Sequence, residues 1–126
     1  AAFRGQAPHI LEQCKTDLSK IRSGAIAEAI AAGDEEVELI VREAAQWVGV
    51  GVGAAVNLLA PDVVVLGGGL VEAVPDIYRE EVEKSSRNHV MPSLRTTYKV
   101  VVGELLDDAV IVGAAAWARD LTENGK

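Results

Sequence analysis

The chain has 126 residues, of which 49% are hydrophobic and 25% charged, and its formal net charge is −7 at pH 7. This size leaves no room for a second full domain, and the composition is that of a folded globular chain and excludes intrinsic disorder. The acidic balance, with scattered Lys and Arg, argues against a nucleic-acid surface, so we expect an anionic ligand to arrive with a metal ion or to be held by backbone dipoles.

The first third of the chain predicts two short helices. Pro8 suits a first helical position, and apolar residues follow at helical spacing to a predicted end near Lys15. Ser23 is predicted to cap a second, amphipathic helix, which Gly33 ends.

The same region carries the single cysteine of the sequence, Cys14. No intrachain disulfide is therefore possible, and together with the absence of a targeting pattern this predicts a cytoplasmic setting. His9, Cys14 and the distant His89 are too few ligands for zinc, so we predict no metal site and expect Cys14 to pack as a small apolar group. The start, Ala1 to Gly5, has no initiator Met, and we expect the chain to begin inside a longer protein.

A long third helix is predicted to begin at Asp34, as its N-cap, and to end at Pro61 and Asp62. Residues 48–53 alternate valine and glycine with the period of a strand but continue a strong helical pattern, and we interpret them as helix. Residues 49–54 also match the dinucleotide-binding pattern G-x-G-x-x-A. We reject that match, because the pattern must follow a strand whereas residues 42–47 indicate a helix.

Glycines are costly inside a helix, by about 1 kcal/mol each relative to alanine. Gly49, Gly51 and Gly53 therefore imply a packing reason, and Gly49 and Gly53 with Ala45 would form a seam without bulky side chains against which another backbone can pack. Charges and prolines interrupt the longest apolar run, so no transmembrane helix is expected.

Residues Val63 to Leu66 predict a strand buried on both faces, because four consecutive apolar residues include three β-branched ones. Gly67, Gly68 and Gly69 follow it directly. A turn of bare backbone at the carboxyl end of a parallel strand is where open α/β sheets usually bind ligands, which predicts nucleotide binding at these glycines. The alternative is that the glycines only let the strand turn tightly into the next helix.

The chain then predicts a helix opened by Pro75, whose acidic run Glu80 to Glu83 is most simply a solvated face. Residues 91–93 break this helix, and a second strand is predicted from Thr97 to Leu105.

Asp107 or Asp108 is predicted to cap a final helix, in which Gly113 to Ala116 would allow close approach of a neighbouring element. The polar residues 122–126 are predicted to fray. The order of the elements makes the two strands parallel neighbours in an α/β domain. Two strands are too few for a stable sheet, so further strands are expected outside this sequence.

Three blocks of residues, in this order and approximate spacing, resemble the carboxyl-terminal part of the ROK family of bacterial sugar kinases and repressors. They are Ala29 to Asp34, Val56 to Gly69, and Leu105 through Asp108-Ala109 to Ala115. The resemblance implies that residues 1–126 form a single domain, a fragment of an actin/hexokinase-like ATPase fold (ribonuclease H-like) with parallel strands and long packed helices.

By this resemblance, Gly67, Gly68 and Gly69 correspond to the adenosine-binding motif of an ATP-dependent sugar kinase, with ATP and Mg²⁺ as cofactors. The hexose would be glucose, the commonest substrate expected of the family, although no residue here supports that choice. The family's phosphate loop, catalytic aspartate and zinc motif correspond to no residue of this sequence. The implied function is therefore the nucleotide-binding part of a glucokinase-like transferase, inactive by itself.

Two alternatives remain open. The chain could be the effector-binding part of a ROK transcriptional repressor, whose DNA-binding module would lie upstream. It could also be a structural or assembly domain, in which the glycines serve packing only. The resemblance implies a homo-oligomer, and neither nucleic acid nor a membrane is an expected partner of this part.

Overall fold

The structure is a computed structural model and describes residues 5–15, 17–105 and 108–124. Its helices and strands are α1 (Pro8–Cys14), α2 (Ser23–Ala31), α3 (Glu35–Leu59), β1 (Val63–Leu66), α4 (Gly69–Ala73), α5 (Pro75–His89), β2 (Lys99–Val102) and α6 (Ala109–Asn124). Short 3₁₀ turns lie at Leu18–Lys20 and Pro92–Leu94. Pro8 and Pro75 stand in the first turns of their helices, as predicted.

The sheet consists, within the described residues, of β1 and β2 paired in parallel, with Leu66 opposite Val102. One face carries Leu66 and Val100, which are buried against the helices. The prediction that β1 is buried on both faces is wrong, because Val63 is 50% exposed and Val65 63% exposed. Side chains alternate between the two faces of a strand, and no described element covers the second face.

The core lies between the buried face of the sheet and the pair α3 and α5. Val56 and Val82 are completely buried there, and Tyr98 is 2% exposed. A smaller cluster joins α1, α2 and the start of α3, and it contains Cys14 at 4% exposure. This confirms that Cys14 packs as a small apolar group.

The glycines of α3 explain how closely α5 approaches. A Cβ on Gly49 would lie 2.5 Å from the Cβ of Ser85, and one on Gly53 would lie 2.8 Å from the Cβ of His89. The predicted seam is therefore confirmed for these two positions. For Gly51 the predicted packing reason is wrong, because a Cβ there would meet no atom within 4 Å.

The helical interpretation of residues 48–53 is confirmed, since all of them lie in α3. The rejection of the dinucleotide-binding pattern is confirmed as well, because residues 49–54 follow helix and not a strand. Contrary to the sequence expectation, α3 is long and apolar enough to cross a membrane by length and composition alone. Residues 44–60 carry no charged side chain. Core helices of soluble proteins pass the same test, and α3 packs its glycine seam on α5.

The helix starts differ in detail from the predictions. Arg22, not Ser23, is the N-cap of α2, and Ser23 is its first residue. Asp34 is the N-cap of α3, but its 7% exposed carboxylate accepts a hydrogen bond of 3.0 Å from the backbone N–H of His9 in α1. Gly33, with φ of 90°, separates α2 from α3 in the backbone region that favours glycine.

The acidic run in α5 is not a solvated face, because Glu81 is 6% exposed. Gln46 Nε2 donates a hydrogen bond of 2.9 Å to Glu81 Oε1, and Arg42 forms an ion pair of 3.2 Å with Oε2. The hydrogen bond from Gln46, helped by that from Arg42, lowers the pKa of Glu81 although burial opposes this. A buried carboxylate needs such partners, and α3 supplies both.

In the carboxyl-terminal part, strand β2 is shorter than predicted and helix α6 extends further than predicted. β2 covers Lys99–Val102 rather than Thr97 to Leu105. α6 continues through Asn124, past the start of the predicted polar tail. Asp107, one of the two predicted caps, lies outside the described residues. Side chains along residues 109–123 are exposed, and a Cβ on Gly113 would meet no atom within 4 Å, so the predicted close approach is absent from the described chain.

Candidate functional site

The glycine turn lies at the carboxyl end of β1, and its three residues are exposed. Gly68 has φ of 114° and precedes α4. A Cβ on Gly67 or on Gly68 would meet no atom within 4 Å. The backbone therefore explains why Gly68 is glycine, but neither packing nor a positive φ explains Gly67, which borders open space.

The two strands end side by side at this edge of the sheet. The N–H of Gly103, which follows β2, donates a hydrogen bond of 2.9 Å to the carbonyl of Leu66. A Cβ on Gly103 would lie 3.5 Å from that carbonyl oxygen. The edge is thus lined by backbone from both strands, as expected where an open α/β sheet binds a ligand.

The third glycine faces α2 across a narrow gap. A Cβ on Gly69 would lie 3.4 Å from Ser23 Oγ and 3.9 Å from Ser23 Cβ. From the sequence, Ser23 is predicted only to cap α2, and residues 23 and 69 are far apart in the chain. No sequence pattern signals their proximity.

Asn57 holds the end of α3 against the end of α5. Its Nδ2 donates a hydrogen bond of 2.9 Å to the carbonyl of His89, and its Oδ1 accepts one of 2.8 Å from the N–H of Met91. One amide thus satisfies two backbone groups at the carboxyl end of α5. The sequence signal for this role is a polar residue inside an apolar stretch, at the start of the block Val56 to Gly69.

The start of β1 is held in the same region. Ala60 ends α3 in the left-handed conformation, with φ of 45°, so the helix stops before Pro61. The N–H of Lys99 then donates a hydrogen bond of 3.0 Å to the carbonyl of Asp62, which begins the pairing of β2 with β1. Together with Asn57 these contacts set where β1 begins and therefore where Gly67 emerges.

The glycine turn presents exposed backbone without side chains. Among the described residues, no group of three or more His, Cys, Asp or Glu side chains could hold a metal ion. The turn offers backbone N–H groups and space that a Cβ would fill. Such backbone suits a phosphate or a nucleoside, so the residues present fit the predicted nucleotide.

Two solved structures resemble this chain. A ROK family glucokinase from Streptomyces griseus, solved in complex with glucose and AMPPNP, superposes with a TM-score of 0.80 and 28% identity over 94% of this chain and 38% of its own. A candidate sugar kinase from Cytophaga hutchinsonii gives a TM-score of 0.68 at 20% identity, over 92% of this chain and 41% of its own. They confirm the predicted fold class, a fragment of the actin/hexokinase-like ATPase fold.

Sequence comparison agrees with the structures. The glucokinase of Thermotoga maritima is 36% identical over 61 residues, which are 48% of this chain and 19% of that protein. The chain thus spans a minor part of the length of each of these relatives. The sequence model of the ROK family matches residues 6–121, which confirms the resemblance, and the chain belongs to the ROK family.

Proposed function

We propose that this chain is the nucleotide-binding part of an ATP-dependent hexose kinase, with glucose as the hexose. The observation that carries the proposal is the unfilled space at Gly67, at the carboxyl end of β1. The similarity over 94% of the chain to a glucokinase solved with glucose and AMPPNP supports the choice of ligands.

In this proposal Gly67, Gly68 and Gly69 contact the adenosine and the first phosphate through their backbone. The absence of a Cβ lets a flat base or a phosphate approach the N–H groups directly. Because a substituent on Gly67 meets open space, the position is free to hold ligand atoms instead.

The remaining parts of the reaction belong to residues outside this sequence. In phosphoryl transfer, Mg²⁺ neutralises charge on the phosphates while an aspartate accepts the proton of the sugar hydroxyl. We propose that Mg²⁺ enters with the nucleotide, because the described residues contain no cluster of three or more His, Cys, Asp or Glu side chains that could hold a metal ion. The contribution of this chain is to orient the nucleotide. Positioning of the reactants supplies a large part of the rate enhancement in phosphoryl transfer.

The test is Gly67→Val in the longest natural protein that contains this sequence. Gly68→Val is a poorer probe, because φ of 114° strains any substituted backbone. Gly67 has no such strain and no neighbour within 4 Å, so the variant should fold. Gly51→Val is the matched control, since Gly51 is exposed and equally without neighbours.

Isothermal titration calorimetry with Mg-ATP supplies the measurement. We expect Gly67→Val to weaken binding at least roughly tenfold, a cost of about 1.4 kcal/mol, because its side chain occupies the nucleotide space. Gly51→Val should bind as the wild type does. Normal binding by Gly67→Val would overturn the site, and a wild type that binds no Mg-ATP would overturn the function in favour of the repressor or packing alternatives.

The same proposal places the protein in the cytoplasm and in a homo-oligomer. The exposed apolar side chains of α3 support an assembled form, since Trp47 is 70% exposed and Leu58 82% exposed. Apolar surface of this kind is usually covered by other parts of a protein or by a partner.

A further inference from the structure

Helix α3 has a second apolar face, which lies opposite the glycine seam. Successive residues of a helix are about 100° apart around its axis, so this face points away from α5, against which Gly49 and Gly53 pack. Two large side chains lie on it, Trp47 at 70% exposure and Leu58 at 82%. The exposed residues between and beside them are small. We call the whole set the outer stripe of α3: Ala44, Trp47, Gly51, Ala54, Ala55 and Leu58.

The outer stripe is too apolar for an ordinary solvent-facing surface. Residues 44–60 carry no charged side chain, although the net charge of the chain is −7. A tryptophan exposed beside a leucine is typical of a surface that another protein segment covers. The stripe has no charge with which to attract an oppositely charged partner. Two copies of this acidic chain, however, can meet here without bringing like charges into contact.

The order of large and small residues in the stripe fits a second copy of itself. In an antiparallel pair of α3 helices with a twofold axis at residue 51, residues equally far before and after residue 51 lie opposite one another. Trp47 then lies opposite Ala55 of the second copy, and Leu58 lies opposite Ala44. Each large side chain meets a small one, as packing of ridges into grooves requires. At the usual distance of about 8–10 Å between helix axes, a methyl group at residue 51 still fits.

The charges at the start of α3 favour the antiparallel pair over a parallel one. Glu35, Glu36 and Glu38 lie in the first turn of α3. A parallel pair would place the acidic turns of both copies side by side and Trp47 against Trp47. In the antiparallel pair, at about 1.5 Å per residue, the two acidic turns are about 45 Å apart. That separation is far beyond the Debye length of about 8 Å, so their repulsion is screened.

We propose that two copies of the protein form an antiparallel, twofold-symmetric dimer through the outer stripe of α3. This inference rests on the homo-oligomer of the proposed function and adds the surface and the pairing of its residues. It uses no residue of the glycine turn. Trp47 is the main anchor of the interface, since tryptophan is enriched among residues that carry most of the binding energy.

Sedimentation of the longest natural protein that contains this sequence measures the dissociation constant of the dimer. We expect Trp47→Ala to raise this constant at least roughly hundredfold, because a twofold interface loses the side chain twice. Trp117→Ala is the matched control, since Trp117 of α6 is also 70% exposed, and it should leave the constant unchanged. Ala55→Trp should also weaken the dimer, because two indole rings then compete for one space.

Exchanging the two residues tests the pairing itself. The double variant Trp47→Ala/Ala55→Trp keeps one large side chain opposite one small side chain. We therefore expect it to dimerise within about tenfold of the wild type, although each single substitution weakens the dimer. A partner other than a second copy would not produce this rescue.

Gly51→Cys gives a second measurement that needs no large side chain. The axis brings residue 51 of both copies together, so mild oxidation should link them by a disulfide. Gly24→Cys, at an exposed glycine of α2 with no neighbour within 4 Å, should not cross-link.

A monomeric wild type, or a dimer that Trp47→Ala leaves unchanged, would overturn the interface. Normal Mg-ATP binding by the same protein would then leave the nucleotide-binding function standing. A folded exchange variant that stays monomeric would overturn the pairing. Where circular dichroism shows that the exchange variant is unfolded, the Gly51→Cys cross-link decides, and its absence would overturn the pairing.

Discussion

The contact between α3 and α5 makes Gly49→Ala a sharp test of the packing described above. A Cβ on Gly49 would lie 2.5 Å from Ser85 Cβ, 2.8 Å from the carbonyl oxygen of Val82 and 2.9 Å from Ser85 Oγ. Only the Oγ can rotate away, because the other two atoms are held by the backbone of α5. The helices must therefore separate to admit a single methyl group.

Gly51→Ala is the control that makes the magnitude measurable. It lies in the same helix, and its Cβ would meet no atom within 4 Å. Alanine at either position gains about 1 kcal/mol of helix propensity. Only Gly49→Ala also overpacks the contact with α5. Overpacking lowers the free energy of unfolding by about 1–3 kcal/mol, and by more where the backbone must shift. We therefore expect Gly51→Ala to be the more stable variant by at least about 1–3 kcal/mol.

Urea denaturation followed by circular dichroism measures the free energy of unfolding of both variants. The propensity gain cancels in the difference between them, which leaves the packing cost alone. Equal stabilities would refute the close approach of α5 at Gly49. A Gly51→Ala protein less stable than the wild type would refute the conclusion that Gly51 faces open space.

Two further predictions concern the contacts between α3 and α5. Asn57→Ala removes the hydrogen bonds to His89 and from Met91, so we expect a loss of about 1–3 kcal/mol in the same urea assay. Asn88→Ala, on an exposed part of α5, should change stability by less than about 0.5 kcal/mol; equal effects would contradict the bridging role. The lowered pKa of Glu81 means that its carboxylate stabilises the fold above its ordinary pKa of 4.5, and this stability is lost as the pH falls through the folded pKa. Glu81→Gln should therefore reduce the fall in the free energy of unfolding at acid pH. An unchanged dependence of that free energy on pH would contradict the stabilising role of the Glu81 carboxylate.

Local sequence patterns predicted most elements, because they depend on neighbouring residues. Pro8 and Pro75 open helices through a fixed φ, and the apolar spacing from residue 35 onward carries α3 through the valine-glycine alternation. Strand limits were less accurate, since β2 is paired only where β1 is opposite it. Residues 97–98 and 103–105 have strand-like sequence but no partner strand there.

Burial was predicted less well than secondary structure. Glu81 looked solvated because its neighbours are acidic, but the chain brings Gln46 and Arg42 of α3 to it. Val63 and Val65 looked buried because they are β-branched, but no described element covers their face. Burial depends on what lies opposite a residue, and composition does not record that.

The sequence by itself determined that Gly67 to Gly69 form a bare turn after a parallel strand and that the chain resembles the ROK family, because strand propensity, glycine and motif order are local properties. Only the tertiary structure decided that Gly68 is required by its backbone while Gly67 borders open space. It also brought Ser23 to Gly69 and Asn57 to the end of α5. These contacts join residues distant in sequence, and they exist only because the packing of α3 on α5 and of α2 beside the sheet brings those segments together.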